Sequence, residues 1–216
     1  MHARCRPAPR RAGFTLIELL AVLVILSILT AFLVVNISAA RVACSSTVSR
    51  ATLTQIAAAP SERESEKGDW PPSQFPDAWG AAPDATNLGA EVLYMTICAE
   101  GEIGEGRFDE APANVDGDRA VLRIPGHSSQ ELFEIADAWD NPIAYFHHRD
   151  YGREDSYATY DGKTGEVVTS VVRARQNKRT GRWFEPNGFQ LVSAGRNGVF
   201  DKPGTDEDDD ITNFKP

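Results

Sequence analysis

The most distinct pattern along the chain is an apolar stretch near its start. From Phe14 to Val35 nearly every residue is apolar. The interruptions are Thr15, Glu18, Ser27 and Thr30. As a helix the stretch spans about 33 Å, which matches a bilayer core of roughly 30 Å. Because a helix this apolar on all faces needs lipid or a larger domain around it, the pattern predicts a membrane-spanning segment over about 14–36.

Beyond the apolar stretch the sequence becomes small and polar, but it holds neither glycine nor proline before Pro60. A weak apolar stripe at helical spacing continues there. We therefore expect one long helix over 14–58, followed by a proline-rich loop over 60–87. Helical spacing returns in 87–101, where Gly101 is a natural stop, and predicts a second, shorter helix.

The second half of the chain has the composition of β-strands. Strands are predicted over 119–125, 142–148 and 182–195. Residues 156–172 form two β-rich arms around Asp161-Gly-Lys-Thr-Gly165, which predicts a hairpin. We expect an α+β fold in which a globular domain, 59–216, places a small antiparallel sheet on the exposed half of the long helix.

Charge predicts the orientation and limits the partners. The chain has a net charge of −9, yet residues 1–13 hold four arginines and no acid. Cationic flanks stay cytoplasmic, so the C-terminal domain is expected in the periplasm. Its acidity argues against nucleic acid as a partner. A cleavable secretory signal is disfavoured because Gly13 precedes the apolar stretch, which is also too long.

Three cysteines leave one question open. Cys5 lies in the cationic segment, and Cys44 and Cys98 lie beyond the membrane segment. A disulfide between the last two is chemically possible outside the cytoplasm. Two unpaired small apolar residues are the alternative.

Glu18 needs a partner, because a carboxylate in the bilayer costs about 2.5–3.5 kcal/mol. If the chain is cut between Gly13 and Phe14, the new amino terminus lies one helical turn from this acid. Pairing of amine and carboxylate on neighbouring subunits neutralises both charges. The acid is then unfavourable in a single subunit and satisfied in a polymer.

The segment RRAGFTLIELL, residues 10–20, resembles the class III prepilin signal of type IV pilins and type II secretion pseudopilins. The resemblance implies a pilin-like fold and removal of the leader 1–13 by a membrane prepilin peptidase that cuts after Gly13. It also implies N-methylation of Phe14 and a role for Glu18 in filament assembly.

A second segment, DAWDNPIAY at 137–145, resembles a stretch of the major, G-type pseudopilin. Ala138 stands where the family has proline, and Asp140 stands where it has glycine. Asn-Pro at 141–142 biases the chain to turn before the next strand. The implied role is structural, with Trp139 as a core anchor.

The C-terminal segment 193–214 combines glycines with six acids between Asp201 and Asp210. Such a loop can hold calcium with oxygen ligands, whereas a solvated acidic loop is the alternative. It resembles the calcium loop of G-type pseudopilins. The resemblance implies Ca²⁺ as cofactor. The implied side-chain ligands are Asn197, Asp208 and Asp210, and the implied backbone carbonyl ligands lie near Ala194 and Thr205. Asn197 replaces an aspartate, which removes one negative charge from the expected site.

Another acidic segment, NVDGDR at 114–119, resembles a fragment of a calcium loop but lacks the closing glutamate. We interpret it as a turn. The sequence offers no catalytic constellation, so we expect no enzymatic activity.

The combined expectation is a structural pseudopilin subunit in the inner membrane that assembles into a periplasmic type II secretion pseudopilus. The expected partners are other copies of the chain, the prepilin peptidase, the inner-membrane secretion platform, the minor pseudopilins and the membrane. The alternatives are a type IV pilin of a surface fibre and, further away, a membrane-anchored enzyme.

Overall fold

The computed structural model describes residues 15–98, 113–127, 129–200 and 209–215. The chain divides into two compact units, Met1–Val42 and Ala43–Pro216. The helices are α1 (Leu16–Lys67) and α2 (Leu88–Ile97), with 3-10 turns at Asp77–Trp79 and His148–Asp150. The strands are β1 (Ala144–His147), β2 (Glu154–Tyr160), β3 (Val167–Arg173), β4 (Phe189–Ser193) and β5 (Ile211–Thr212).

Helix α1 continues past the proline that we expected to follow its end. Pro60 lies inside the helix, which ends at Lys67 rather than near residue 58. One proline removes a single backbone hydrogen bond. The residues that follow, SERESEK at 61–67, are mostly good helix formers. Gly68, with a φ of 76°, then takes the left-handed conformation that commonly ends a helix.

The second unit has its main core between α1 and a sheet. Leu53, Ile56 and Ala59 of α1 are all at most 2% exposed. They pack in one apolar cluster with Tyr145 of β1 and Leu191 of β4. This packing confirms the expected α+β, pilin-like arrangement of a long helix on a small antiparallel sheet.

The strands form two antiparallel sheets rather than one within the described residues. The order β1-β4-β5 makes a three-stranded sheet, and β2 pairs with β3. The predicted hairpin is confirmed, with Tyr160 opposite Val167 at its closed end. The Asp161 side chain accepts hydrogen bonds from the N–H groups of Lys163 and Thr164, both at 2.8 Å. These bonds explain why that sequence turns.

Helix α2 confirms the second predicted helix, and Asn87 fixes its start. This buried asparagine has a φ of 53°. Its side-chain oxygen accepts the N–H of Ala158 in β2 at 2.9 Å, and its amide donates to Glu134 at 2.8 Å. The side chain therefore ties α2 to both neighbours. The expected stop at Gly101 lies outside the described residues.

The prediction of a strand over 119–125 is wrong. Arg119 forms an isolated bridge with Glu131, and no ladder continues from it. Val121 and Leu122 are 62% and 59% exposed, whereas Ala120 and Ile124 are buried in a separate apolar cluster, so the exposure does not alternate as it does along a strand. A short apolar run without a neighbouring strand cannot satisfy its backbone as a sheet does.

The structure also bears on the two cysteines beyond the membrane segment and on Trp139. Cys44 and Cys98 are both free thiols, so the disulfide that the sequence left open is not formed. Trp139 is partly buried at the edge of the main cluster, whereas Tyr145 is fully buried at its centre. Trp139 therefore packs against the core as expected, although it is only partly buried.

Candidate functional site

The Glu18 side chain, in the first turn of α1, is hydrogen-bonded to Thr15 of the same chain. Its Oε2 accepts hydrogen bonds from the N–H and the hydroxyl of Thr15, both at 2.8 Å. The Glu18 N–H in turn lies 3.3 Å from the Thr15 hydroxyl oxygen. This reciprocal pattern is a capping box. Its signal, threonine three residues before glutamate ahead of an apolar run, was present in the sequence but was missed.

The apolar side chains of the first unit are exposed. Leu16, Phe32 and Leu33 are 83%, 67% and 59% exposed. By length and composition α1 is able to cross a membrane. Because so much apolar surface is unfavourable in water, this segment requires lipid or other helices around it.

The comparison with protein families matches the N-terminal part of the chain. Residues 8–34 match the family model described as the prokaryotic N-terminal methylation motif. This chain carries the N-terminus of a type IV pilin-like prepilin. The motif implies processing of the prepilin by a prepilin peptidase, followed by filament assembly. No curated protein and no solved structure matches the chain.

The family motif contains all three N-terminal residues singled out in the sequence. Gly13 and Phe14, the expected cleavage and methylation positions, lie outside the described residues. Glu18 lies one helical turn further along the prepilin, at the start of the exposed apolar helix. The processing and assembly roles of the three residues stay predictions.

The expected calcium ligands of the prepilin are only partly described. Ala194 and Asn197 lie at the start of the acidic loop and Asp210 at its end, whereas Thr205 and Asp208 lie outside the described residues. The Asn197 N–H donates to the Asp209 carboxylate at 3.1 Å. The Asn197 side-chain oxygen accepts the N–H of Val199 at 2.7 Å, so that oxygen already serves the turn. The two ends of the loop therefore meet.

Asp210 has a cationic partner that the sequence analysis missed. Its carboxylate pairs with the Arg175 guanidinium, and the two side chains are 1% and 6% exposed. The backbone of Arg175 is also hydrogen-bonded to the Gln190 side chain. The Arg175 N–H donates to the Gln190 amide oxygen at 2.6 Å, and the Gln190 amide donates to the Arg175 carbonyl at 2.9 Å. The described donors thus fit a calcium site only in part, because Asp210 is already neutralised by an arginine. Nothing in local sequence pattern indicates a pair 35 residues apart.

The hairpin turn and the acidic loop meet backbone to backbone at a contact that we call the glycine seam, formed by Gly162 and Gly198. The Gly162 N–H donates to the Asn197 carbonyl at 2.9 Å, and the Thr159 hydroxyl donates to the Gly198 carbonyl at 2.5 Å. A Cβ on Gly198 would overlap the Tyr160 carbonyl. Only glycine fits this position.

The DAWDNP turn is held by one buried carboxylate. Asp137 accepts the N–H groups of Trp139 and Asn141 at 2.8 and 3.1 Å, and the Ser193 hydroxyl at 2.6 Å. Burial raises the pKa of Asp137 to about 6, although these three donors oppose the shift. The carboxylate therefore joins the turn to the last residue of β4, where the acidic loop begins.

We predict that Asp137→Ala lowers the free energy of unfolding by about 2–3 kcal/mol, because buried donors lose their acceptor. Asp137→Asn keeps an acceptor and should lose less. Denaturation of the full chain in detergent, followed by tryptophan fluorescence, measures both changes. Equal losses for the two variants would contradict the hydrogen-bond account.

The raised pKa of Asp137 also gives a pH dependence with a definite sign. The folded pKa of about 6 exceeds the unfolded value of about 3.9. The stability contributed by this shift is complete below about pH 4 and is lost as pH rises through 6. Relative to the wild type, Asp137→Asn should therefore gain stability as the pH of the denaturation series rises.

A further prediction concerns Asp140, which has a φ of 63° and stands where the resembling stretch has glycine. Left-handed backbone is unfavourable for most side chains, and for β-branched ones most of all. We expect Asp140→Gly to be neutral or stabilising by up to about 1 kcal/mol and Asp140→Val to be destabilising by about 1–2 kcal/mol. Thermal unfolding of the two variants gives the comparison, and destabilisation by the glycine would count against strain at this residue.

Proposed function

We propose that this prepilin is a structural subunit of a periplasmic type II secretion pseudopilus. The observation that carries the proposal is the matched methylation motif followed by an exposed apolar helix with a single acid, Glu18, in its first turn. After cleavage at Gly13, the helix holds the subunit in the inner membrane with its globular domain in the periplasm. Helix packing then incorporates it into a filament above the secretion platform, together with minor pseudopilins.

Assembly follows from two physical needs of the helix. The exposed apolar side chains of α1 lose their contact with lipid only by packing against equivalent helices. The charge of Glu18 is matched when the amino terminus of a neighbouring subunit lies at the same depth. Lateral packing of helices therefore provides apolar contact and charge neutralisation in one step. Extension of the filament would push exported protein through an outer-membrane channel, so the proposed role is structural rather than catalytic.

The choice of pseudopilus over surface fibre rests on the globular unit. The DAWDNP turn and the acidic glycine-containing loop resemble segments of the G-type subunit. The Asp137–Ser193 hydrogen bond, at 2.6 Å, links the two segments. The second candidate is a type IV pilin of an adhesive or motile fibre, which the shared N-terminal motif fits equally well.

We also propose that the 193–214 loop binds Ca²⁺ more weakly than the resembling loops do. Support comes from the closure of the loop by Asn197 and Asp209 and from its many carboxylates. Two features reduce the expected affinity: the amide of Asn197 and the Arg175 cation on Asp210. Affinity for calcium decreases when a site has fewer charged ligands.

Deletion of the chain from its host is the direct test of function. We expect export of secreted proteins across the outer membrane to stop, while long surface fibres remain visible by electron microscopy. Normal export with loss of long fibres would instead assign the chain to a type IV pilus. Mass spectrometry of the mature protein should find methylated Phe14 at the amino terminus, and an uncut leader would exclude both assignments.

A further inference from the structure

A cluster of acidic side chains from three separate segments lies beside α2. Glu91 comes from the helix, Asp116 from the NVDGDR turn and Glu134 from the segment before the DAWDNP turn. One carboxylate oxygen of each of these residues lies within 4.8 Å of the others. We call these three residues the acidic cluster. Asp118 adds a further negative charge close to Glu91.

Glu91 is the most deeply buried unpartnered carboxylate of the cluster among the residues that the structure describes. Its side chain is 0% exposed. Neither of its carboxylate oxygens is hydrogen-bonded to any residue that the structure describes. A buried carboxylate in this condition is strongly unfavourable unless a proton or a cation neutralises it. The side chain is directed into the acidic cluster, so a neutralising group must lie there.

The neighbours of Glu91 make its ionisation worse. Burial, followed by the negative charges of Asp118 and Asp116, raises the pKa of Glu91 to about 10. Burial and the charge of Asp116 likewise raise the pKa of Glu134 to about 8. The charges acting on Glu91 are those of acids. Without a cation, the acidic cluster would have to carry bound protons at neutral pH.

Hydrogen bonds position the Glu134 side chain and the turn that presents Asp116. Glu134 accepts the Asn87 amide at 2.8 Å and the Val115 N–H at 3.3 Å, which leaves lone pairs for a further ligand. The turn that presents Asp116 is closed by the Asn114 side chain, which accepts the Gly117 N–H at 2.7 Å. This segment is a turn, as predicted. The turn itself lacks a glutamate, but Glu91 and Glu134 from two other parts of the chain lie beside it.

We propose that Glu91, Asp116 and Glu134 form a binding site for a hard divalent cation, Ca²⁺ above all. The donors are carboxylate oxygens, which suit calcium and disfavour zinc and copper. Oxygens around a calcium ion lie about 2.3–2.6 Å from it, so opposite ligands are roughly 5 Å apart. The 4.8 Å limit within the acidic cluster agrees with that dimension. Three carboxylates supply as many as six oxygens, and Asp118 is close enough to add charge.

The bound ion would act as a structural crosslink. It would join α2 to the 113–118 turn and to Glu134, and so reinforce the Asn87 amide, the Val115 N–H and the backbone bridge of Ala113, each of which contacts Glu134. This site is distinct from the 193–214 loop, since the two share no residue. It does not depend on whether the filament is a pseudopilus or a pilus.

The test is calcium titration of the EDTA-treated full-length chain in detergent micelles, by isothermal titration calorimetry and by melting temperature. The wild type should bind Ca²⁺ and melt at a higher temperature with it. Glu91→Gln should weaken binding at this site by at least about tenfold, which is the loss that removal of an outer-shell partner already produces. The same variant should melt higher than the wild type without calcium, because a buried unpaired acid has been removed.

Three controls separate this site from the rest of the molecule. Glu131→Gln removes an exposed acid on the same segment and should leave binding unchanged. Asp209→Asn alters the C-terminal loop and should leave the Glu91-dependent binding event in place. Asp116→Asn, on a turn rather than in the core, should reproduce the loss if Glu91→Gln fails to fold.

Two results would overturn the proposal. The first is a wild-type chain that shows no calcium binding, which would mean that the acidic cluster holds shared protons. The second is a calcium isotherm of folded Glu91→Gln that coincides with that of the wild type, which would assign all binding to the 193–214 loop. Tighter binding of Mg²⁺ than of Ca²⁺ would overturn the choice of calcium as the preferred ion.

Discussion

Glu18→Gln prepilin is expected to insert into the membrane as the wild type does and to fail to join filaments. Glutamine keeps the capping box, because its side-chain oxygen can still accept from Thr15. It removes only the charge that we propose to pair with the amino terminus of a neighbour. The amine of the neighbour is then unpaired, and the free energy of association becomes less favourable by about 3 kcal/mol per contact, by analogy with a lone charge in lipid. That loss corresponds to about a hundredfold in an association constant.

The matched control is Thr15→Val, which removes the hydroxyl of the capping box and leaves the carboxylate. If the charge is what assembly requires, this variant should still form filaments, with at most a small loss of helix stability. Filaments are counted by electron microscopy and subunits by crosslinking in membranes. Equal assembly of Glu18→Gln and wild type would mean that the acid serves only the first helical turn.

The second large effect is expected at Arg175, whose replacement by methionine removes the guanidinium that pairs with the buried Asp210 carboxylate. Breaking a buried ion pair by removing one partner destabilises a protein by about 3–5 kcal/mol. The double variant Arg175→Met with Asp210→Asn should recover much of that loss, because no charge remains buried. Denaturation of the wild type, the two single variants and the double variant completes a double-mutant cycle. A double variant as unstable as Arg175→Met would show that the arginine acts through packing alone.

Calcium adds a discriminating measurement to the Arg175 series. In Arg175→Met the Asp210 carboxylate no longer pairs with the guanidinium. If the 193–214 loop binds calcium, the ion should stabilise this variant more than it stabilises the wild type. An equal gain in both proteins would place the calcium effect elsewhere, with the acidic cluster at Glu91 as the structural candidate.

Local pattern predicted those parts of the fold whose determinants lie close together in sequence. The β2–β3 hairpin follows from the Asp161 turn, and α2 from its apolar spacing. The predicted end of α1 is wrong because Pro60 does not stop the helix, which the favourable residues after it continue. Residues 119–125 had strand composition, but strand formation depends on a partner that composition does not reveal.

The candidate sites divide in the same way. The N-terminal motif is contiguous, so its residues were identified from sequence and its family match followed. The acidic cluster combines residues 91, 116 and 134, and the Arg175–Asp210 pair spans 35 residues. Such contacts arise only when the chain folds, and each of their residues alone is an ordinary surface acid or base by sequence.

The glycine seam has a consequence for how this domain opens. Because Gly162 and Gly198 leave no side-chain layer between the two segments, the tip of the hairpin cannot separate from the loop without breaking the Gly162–Asn197 hydrogen bond. Local opening of tightly joined segments is cooperative. The amide of Gly162 should therefore exchange its hydrogen in step with those of residues 195–198, and a cation that orders the loop would slow exchange at the hairpin tip as well.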